Sequence, residues 1–233
     1  MTRNVRRIAL APAYILHHRP YRDTSRILDV ITRDHGRLSL FARGVRGPKA
    51  KLASVLQPFQ LLLLSWSGRG EAAQLTGAEL ADSHPPLPAA SLMGSFYLNE
   101  LLLKLTTRHD PQPSLFDDYH GTVAALREGT GLEPALRIFE KRLLEALGYG
   151  LDLQGVDADE YYQFRPAHGL LPTVAEAHGA VAGQSLIHLA NEELQSSRDF
   201  EDARRVLQAA LAECLEGREL NTRAVARAVV RLA

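Results

Sequence analysis

Three prolines within four residues, Pro85, Pro86 and Pro88, divide this chain into two parts that cannot share one ladder or one helix. Proline donates no backbone N–H and fixes φ, so an extended linker is what such a cluster permits. Everything before it reads as strands. Ile8 to His18 opens the set, and Ser25 to Arg33 is rich in β-branched and apolar residues. Asp34-His35-Gly36 then supplies a tight turn into Arg37 to Arg43, which alternates with period two, so the pair predicts a hairpin. Gln57 to Trp66 fits a fourth strand, turned by Ser67-Gly68-Arg69-Gly70 into a weaker fifth from Glu71 to Leu80. Five short, mostly hairpin-linked strands in about 75 residues match a small Greek-key barrel of the OB type. A β-sandwich fragment is the alternative that pattern alone leaves open.

Everything after the prolines reads as helical. Ser91 to Thr107 is apolar nearly all round, which predicts the central buried helix of a bundle. Ser114 to Arg127 sets Leu115, Tyr119, Val123 and Leu126 on one face, and Pro134 opens a further helix lined by Leu136, Phe139, Leu143 and Leu147, with Gly148 at its C-terminal cap. Periodicity fails from Gly150 to Pro172, which reads as an irregular or short-stranded insertion. The helical pattern returns at Gln184 to Leu194 and at Asp199 to Glu216, where Asp199 caps and Gly217 terminates. A last helix fits Thr222 to the end, with Arg223, Arg227 and Arg231 on one face. The expected class is α+β: a five-stranded barrel over residues 1–82, a helical bundle over 89–149 plus 184–233, and a small irregular insertion over 150–183.

Charge follows the same division. Residues 1 to 80 hold thirteen Lys or Arg against five Asp or Glu, and the remainder hold fourteen against twenty-two. A basic balance within one small domain is what a polyanion-binding surface needs, since each phosphate neutralised releases condensed counterion. A solvated basic surface that serves solubility is the plain alternative. No apolar run is long enough to span a bilayer. The apolar stretch after Arg3, Arg6 and Arg7 is broken by Pro12 and reads as a strand rather than an export signal. Cys214 stands alone, which excludes an intrachain disulfide, and its helical spacing from Phe200, Leu207 and Leu211 suggests a small buried hydrophobe. Nine histidines are scattered without metal-ligand spacing, His17 and His18 point to opposite faces of a strand, and Asp23, Asp29 and Asp34 lie on dissimilar elements. No catalytic residue, metal or cofactor is expected.

Alternation in Arg37 to Arg43 sends Leu38, Leu40 and Ala42 inward and Arg37, Ser39, Phe41 and Arg43 outward. Two cations flanking an aromatic let a base stack while phosphates are paired, although Phe41 can equally pack on a neighbouring element. The glycine-broken basic loop from Gly44 to Lys51 lacks the spacing of a nucleotide-binding P-loop and suits clamping of a polynucleotide backbone.

The segments His17 to Lys51 and Leu56 to Glu71, with Glu133 to Leu153, resemble the recombination mediator family RecO over essentially the whole chain. The resemblance implies an N-terminal OB fold and a helical bundle in a bacterial protein of the cytoplasm and nucleoid. It implies a protein that binds single- and double-stranded DNA, anneals complementary strands and helps load RecA onto coated DNA. It names as partners RecR and the acidic C-terminal tail of single-strand-binding protein, with RecF as a further candidate. Carried over by position, Arg19, Arg22, Arg37, Arg43, Arg46, Lys49 and Lys51 read as DNA contacts, with Phe41 beside them. Arg137 reads as a contact to the acidic tail, or else pairs along its own helix with Glu133 or Glu140. Many relatives carry two pairs of cysteines after the position of Gly150, in a zinc-binding knob; Leu151 to Pro172 has none. The expected role is a non-enzymatic mediator of recombinational repair, with an RNA-binding OB protein as the alternative.

Overall fold

A first strand of fifteen residues, β1 (Arg7–Tyr21), is long enough to serve two neighbours, and irregularities in register at Ile8/Ala11 and Ile15/His17 let it bend between them. One half pairs with β2 (Ser25–Thr32) and the other with β4 (Leu62–Ser67). The hairpin continues from β2 into β3 (Gly36–Ala42), and β5 (Ala73–Leu80) lies antiparallel to β4 and parallel to β3. That parallel pairing closes the barrel in the order β1-β2-β3-β5-β4, the OB arrangement, and leaves the sheet without a free edge. Inward positions fill with Ala13, Ile15, Leu28, Val30, Leu40, Leu62 and Leu64, each fully buried. The computed structural model describes residues 7–46, 52–68, 73–129 and 131–222.

Helices α1 (Ala89–Leu105), α2 (Pro113–Glu128) and α3 (Leu132–Ala146) come next. Three short strands follow, β6 (Tyr161–Arg165), β7 (Gly169–Thr173) and β8 (Val181–Ala182), then α4 (Gly183–Asn191) and α5 (Ser197–Leu215). The chain forms two compact units, one of Met1–Val123 with Asn221–Ala233 and one of Ala124–Leu220, so the division falls inside α2.

In the first unit a polar core ties the barrel to α1 and α2. Tyr14 of β1 meets Tyr119 edge-on at 5.1 Å between centroids, and its hydroxyl lies 2.7 Å from His120 Nδ1. Asn99 of α1 donates to Leu16 O at 2.9 Å and accepts from the Tyr119 hydroxyl at 2.5 Å. Burial, with Tyr14 adjacent, pushes the Tyr119 hydroxyl far above its usual pKa, so it stays a donor. The turn into β3 is equally close: Gly36 has φ +65°, and a Cβ there would stand 2.3 Å from Asp110 O.

The second unit is built on α3, α4 and α5, through Phe139, Leu143, Leu186, Leu189, Leu207 and Leu211, all fully buried. β7, β6 and β8 form a three-stranded sheet fastened by Asp202, whose carboxylate accepts from Ala182 N at 3.1 Å. The segment read as aperiodic therefore holds short strands, in keeping with its short-stranded reading.

Several local expectations change. The fourth strand begins at Leu62 rather than Gln57, because Phe59 takes a left-handed φ of 63° after Pro58 and interrupts the extended run. α1 is not enclosed: Leu92, Met93 and Phe96 stay 37 to 43% exposed, while Ser91, Ser95 and Asn99 are buried. Asn99 turns inward because Leu16 O and Tyr119 require its amide. Ser39 faces out by alternation yet is buried, since its hydroxyl donates to Asp29 at 2.6 Å. α5 starts two residues early: Ser196 is the cap, and Asp199 completes a capping box from the third helical position. Cys214 is half-buried rather than buried, and burial, reinforced by Glu213, raises its thiol pKa. The expected last helix lies outside the described residues beyond Thr222.

Candidate nucleic-acid interface

The outer face of the barrel carries an aromatic pair that alternation within one strand does not reveal. Tyr21 ends β1 and Phe41 lies in β3; their rings meet edge-to-face at 5.1 Å and 86°. Each ring has an exposed guanidinium over it, Arg22 at 5.4 Å from the Tyr21 centroid and Arg43 at 5.5 Å from that of Phe41. The β1–β2 turn sets this up, because Arg22 takes a φ of 52° and the chain reverses at once into Ser25 opposite Tyr21. Arg46 braces the turn, donating from Nη1 to Arg22 O at 3.0 Å and from its backbone N to Thr24 O at 3.1 Å.

Register extends the pair into a row. Arg19 stands opposite Ile27, Ile27 opposite Phe41, Phe41 opposite Gln74, Gln74 opposite Ser67 and Ser67 opposite Arg7. An open pocket of about 500 Å³ lies over the middle of this row, bounded by Tyr21, Phe41, Arg22, Arg43 and Gln74. The arrangement offers flat π surfaces with exposed cations beside them and an exposed arginine at either end of the row, which suits stacked bases on a phosphate chain. Of the residues read from sequence, Arg19, Arg22, Phe41, Arg43 and Arg46 come together here. Lys49 and Lys51 lie outside the described residues. Tyr21 and Gln74 were missed; the hairpin register was a signal for Tyr21, and the β3–β5 pairing, remote in sequence, was not available for Gln74.

Arg37 sits elsewhere. Its Nη2 donates to Thr106 O at 2.7 Å and its Nε to Thr106 Oγ1 at 3.1 Å, so this guanidinium caps the C-terminal end of α1. Burial, with Arg108 nearby, lowers its pKa, partly offset by Asp29. The backbone beside it is fastened too, His109 N donating to Arg37 O at 2.9 Å. Asp29 is likewise engaged, with Ser39 at 2.6 Å and Arg108 at 3.5 Å. Among the described residues no group of three His, Cys, Asp or Glu side chains is placed to hold a metal ion.

In the second unit, Arg137 of α3 is only 5% exposed and pairs at 3.0 Å with Glu140, which is fully buried. Its Nε and Nη1 are buried without a hydrogen-bond partner. The side chain presents almost no charge to solvent, because its own helix supplies the counter-ion.

Comparison with known proteins fits this architecture. The family model "Recombination protein O N terminal" matches residues 7–84, and "Recombination protein O C terminal" matches residues 90–156. A DNA repair protein RecO of Methylococcus capsulatus is 42% identical over 228 residues, covering 95% of this chain and 94% of that one. Its counterpart from Alkalilimnicola ehrlichii is 41% identical over 235 residues, covering 97% and 93%. That of Burkholderia lata is 40% identical over 228 residues, covering 94% and 82%.

Proposed function

Because this chain belongs to the RecO family of DNA repair proteins, with a role in recombinational repair, we propose that it works by binding DNA strands across the outer face of its barrel. The observation that carries the reading is the Tyr21–Phe41 pair with Arg22 and Arg43 over its rings. Bases stack on the rings, while Arg22 and Arg43 beside them and Arg19 and Arg7 at the ends of the row take phosphates. The work is non-covalent: strands held by their faces and backbones keep their pairing edges available, which is what annealing of complementary strands needs. With RecR as partner, and RecF as a further candidate, the protein promotes RecA loading on DNA coated by single-strand-binding protein, in the bacterial cytoplasm at the nucleoid.

Docking of the acidic tail of single-strand-binding protein is part of the same proposal. Arg137 Nη1, and Nε whose ion pair with Glu133 is long at 3.9 Å, are the donors such a carboxylate would seek, and reaching them requires the pair with Glu140 to open.

The test is a salt titration of binding to single-stranded DNA, duplex DNA and structured RNA, with annealing followed by fluorescence quenching. Replacing Arg19, Arg22 and Arg43 by Ala should weaken binding for all sequences alike. The slope of log affinity against log salt should fall by about 0.7 for each single-strand phosphate that is no longer paired. Unchanged slope and annealing rate in a folded variant refute the site, and preferential binding of structured RNA refutes the role.

A further inference from the structure

Gln74 stands next to Phe41 in the parallel β3–β5 pairing. Its chain neighbours Ala73 and Leu75 are buried in the barrel core, so strand alternation turns Gln74 outward with Phe41. Its amide orientation is fixed by chemistry. Nε2 donates to Phe41 O at 2.9 Å and to Leu75 O at 3.0 Å, and since backbone carbonyls only accept, the nitrogen has to face them. Both N–H groups are thereby used. What the side chain has left to offer a ligand is Oε1, an acceptor held in place by the two bonds behind it.

We propose that the Tyr21–Phe41 pocket selects nucleobases that offer an amino hydrogen on the major-groove edge, outside the pairing edge, cytosine and adenine over thymine, through Gln74 Oε1. The inference rests on the reading of this face as the DNA site. Stacking on the two rings and phosphate pairing by Arg22 and Arg43 act on features every base shares, so they discriminate weakly. A fixed acceptor does discriminate. Cytosine and adenine project an amino donor where thymine projects a carbonyl oxygen. Thymine's one ring donor is recessed between two carbonyls, both of which would face Oε1. Ser67, opposite Gln74 on β4, carries a hydroxyl that donates or accepts and so excludes no base.

The experiment uses the full chain and short fluorescent oligonucleotides of deoxycytidine or deoxythymidine, at mildly alkaline pH so that cytosine is neutral. The unmodified protein should bind the cytosine strand about fivefold tighter, as expected for one net hydrogen bond. Gln74→Leu and Gln74→Met, both checked for an unchanged melting temperature, should bind the two strands equally. Phe41→Ala should weaken both by a common factor. Equal affinities in the unmodified protein, or a cytosine preference that survives in both Gln74 variants, overturns the inference and leaves the DNA site standing if Phe41→Ala weakens both. No effect of Phe41→Ala overturns the site, and the inference with it.

Discussion

Arg37 lies near the start of β3 and Arg43 directly follows its end, by alternation on the same face, and they do different work. At one end of β3, the Arg37 guanidinium is closed down onto Thr106 at the end of α1. At the other, Arg43 is exposed over the Phe41 ring with its charge available. Period two tells which face of a sheet a residue takes, and says nothing about what covers that face. The second unit repeats the lesson on a helix, where Arg137 is buried against Glu140.

The distinction between enclosed and open cations can be broken most sharply at Arg137. Arg137→Met takes away the guanidinium that pairs with buried Glu140 at 3.0 Å, so the second unit should lose stability, by up to about 3 to 5 kcal/mol. Adding Glu140→Met should return most of it. A denaturant melt in which Arg137→Met is neutral would place Arg137 among the open cations instead. Next in size is the aromatic pair: Tyr21→Ala with Phe41→Ala should cost at least about tenfold in affinity for single-stranded DNA, from stacking worth about 1 to 3 kcal/mol per base. Its melting temperature should barely move, and anisotropy beside a thermal melt reads both.

A smaller effect separates the two ends of β3. Arg37→Gln should lower stability by about 1 to 2 kcal/mol, through lost bonds to the end of α1. Its folded fraction should keep its DNA affinity. Arg43→Gln should do the reverse, and equal behaviour of the two variants in paired melts and salt titrations would erase the contrast.

The smallest extends the idea to an anion. Burial alone would raise the Asp199 carboxyl, but the backbone N–H of Ser196, His188, the N–H of Gln195 and the Ser196 hydroxyl together hold it far below the carboxylate range. A depressed folded pKa gives stability that is complete above the unfolded value, near 4, and is lost as pH falls toward the folded one. Asp199→Asn should therefore cost about 1 kcal/mol at neutral pH and flatten the fall in melting temperature between about pH 5 and 3. Parallel pH curves for both proteins would sink this account.

Local patterns carried much of the fold. The period-two run of Leu38, Leu40 and Ala42 is inside, and the turn at Gly36 and the stop at Gly148 are where their chemistry puts them, with φ of 65° and 80°. What escaped depended on pairings between distant segments. Ser39 is buried because Asp29 lies opposite it, and α1 exposes Phe96 while enclosing Asn99 because the acceptor Asn99 satisfies is on β1. At the candidate site, basic residues and Phe41 were legible from charge and alternation. Tyr21 entered through hairpin pairing, and Gln74 through a parallel pairing between strands more than thirty residues apart.

The Glu100 carboxylate of α1 accepts from Asn221 N at 2.8 Å, Thr222 N at 2.9 Å and the Thr222 hydroxyl at 2.8 Å. Those partners lie 121 and 122 residues later, with the whole second unit synthesised in between. At bacterial elongation speeds that interval is on the order of ten seconds, far longer than a helical unit needs to form. The nascent chain therefore completes its inserted unit first, and only then can Glu100 fasten the returning backbone. A polypeptide terminated within residues 124–220 would retain every barrel strand yet leave Glu100 without the amides that bind its carboxylate and lower its pKa, an early-stop product recognisable by protease sensitivity at α1 rather than within the barrel.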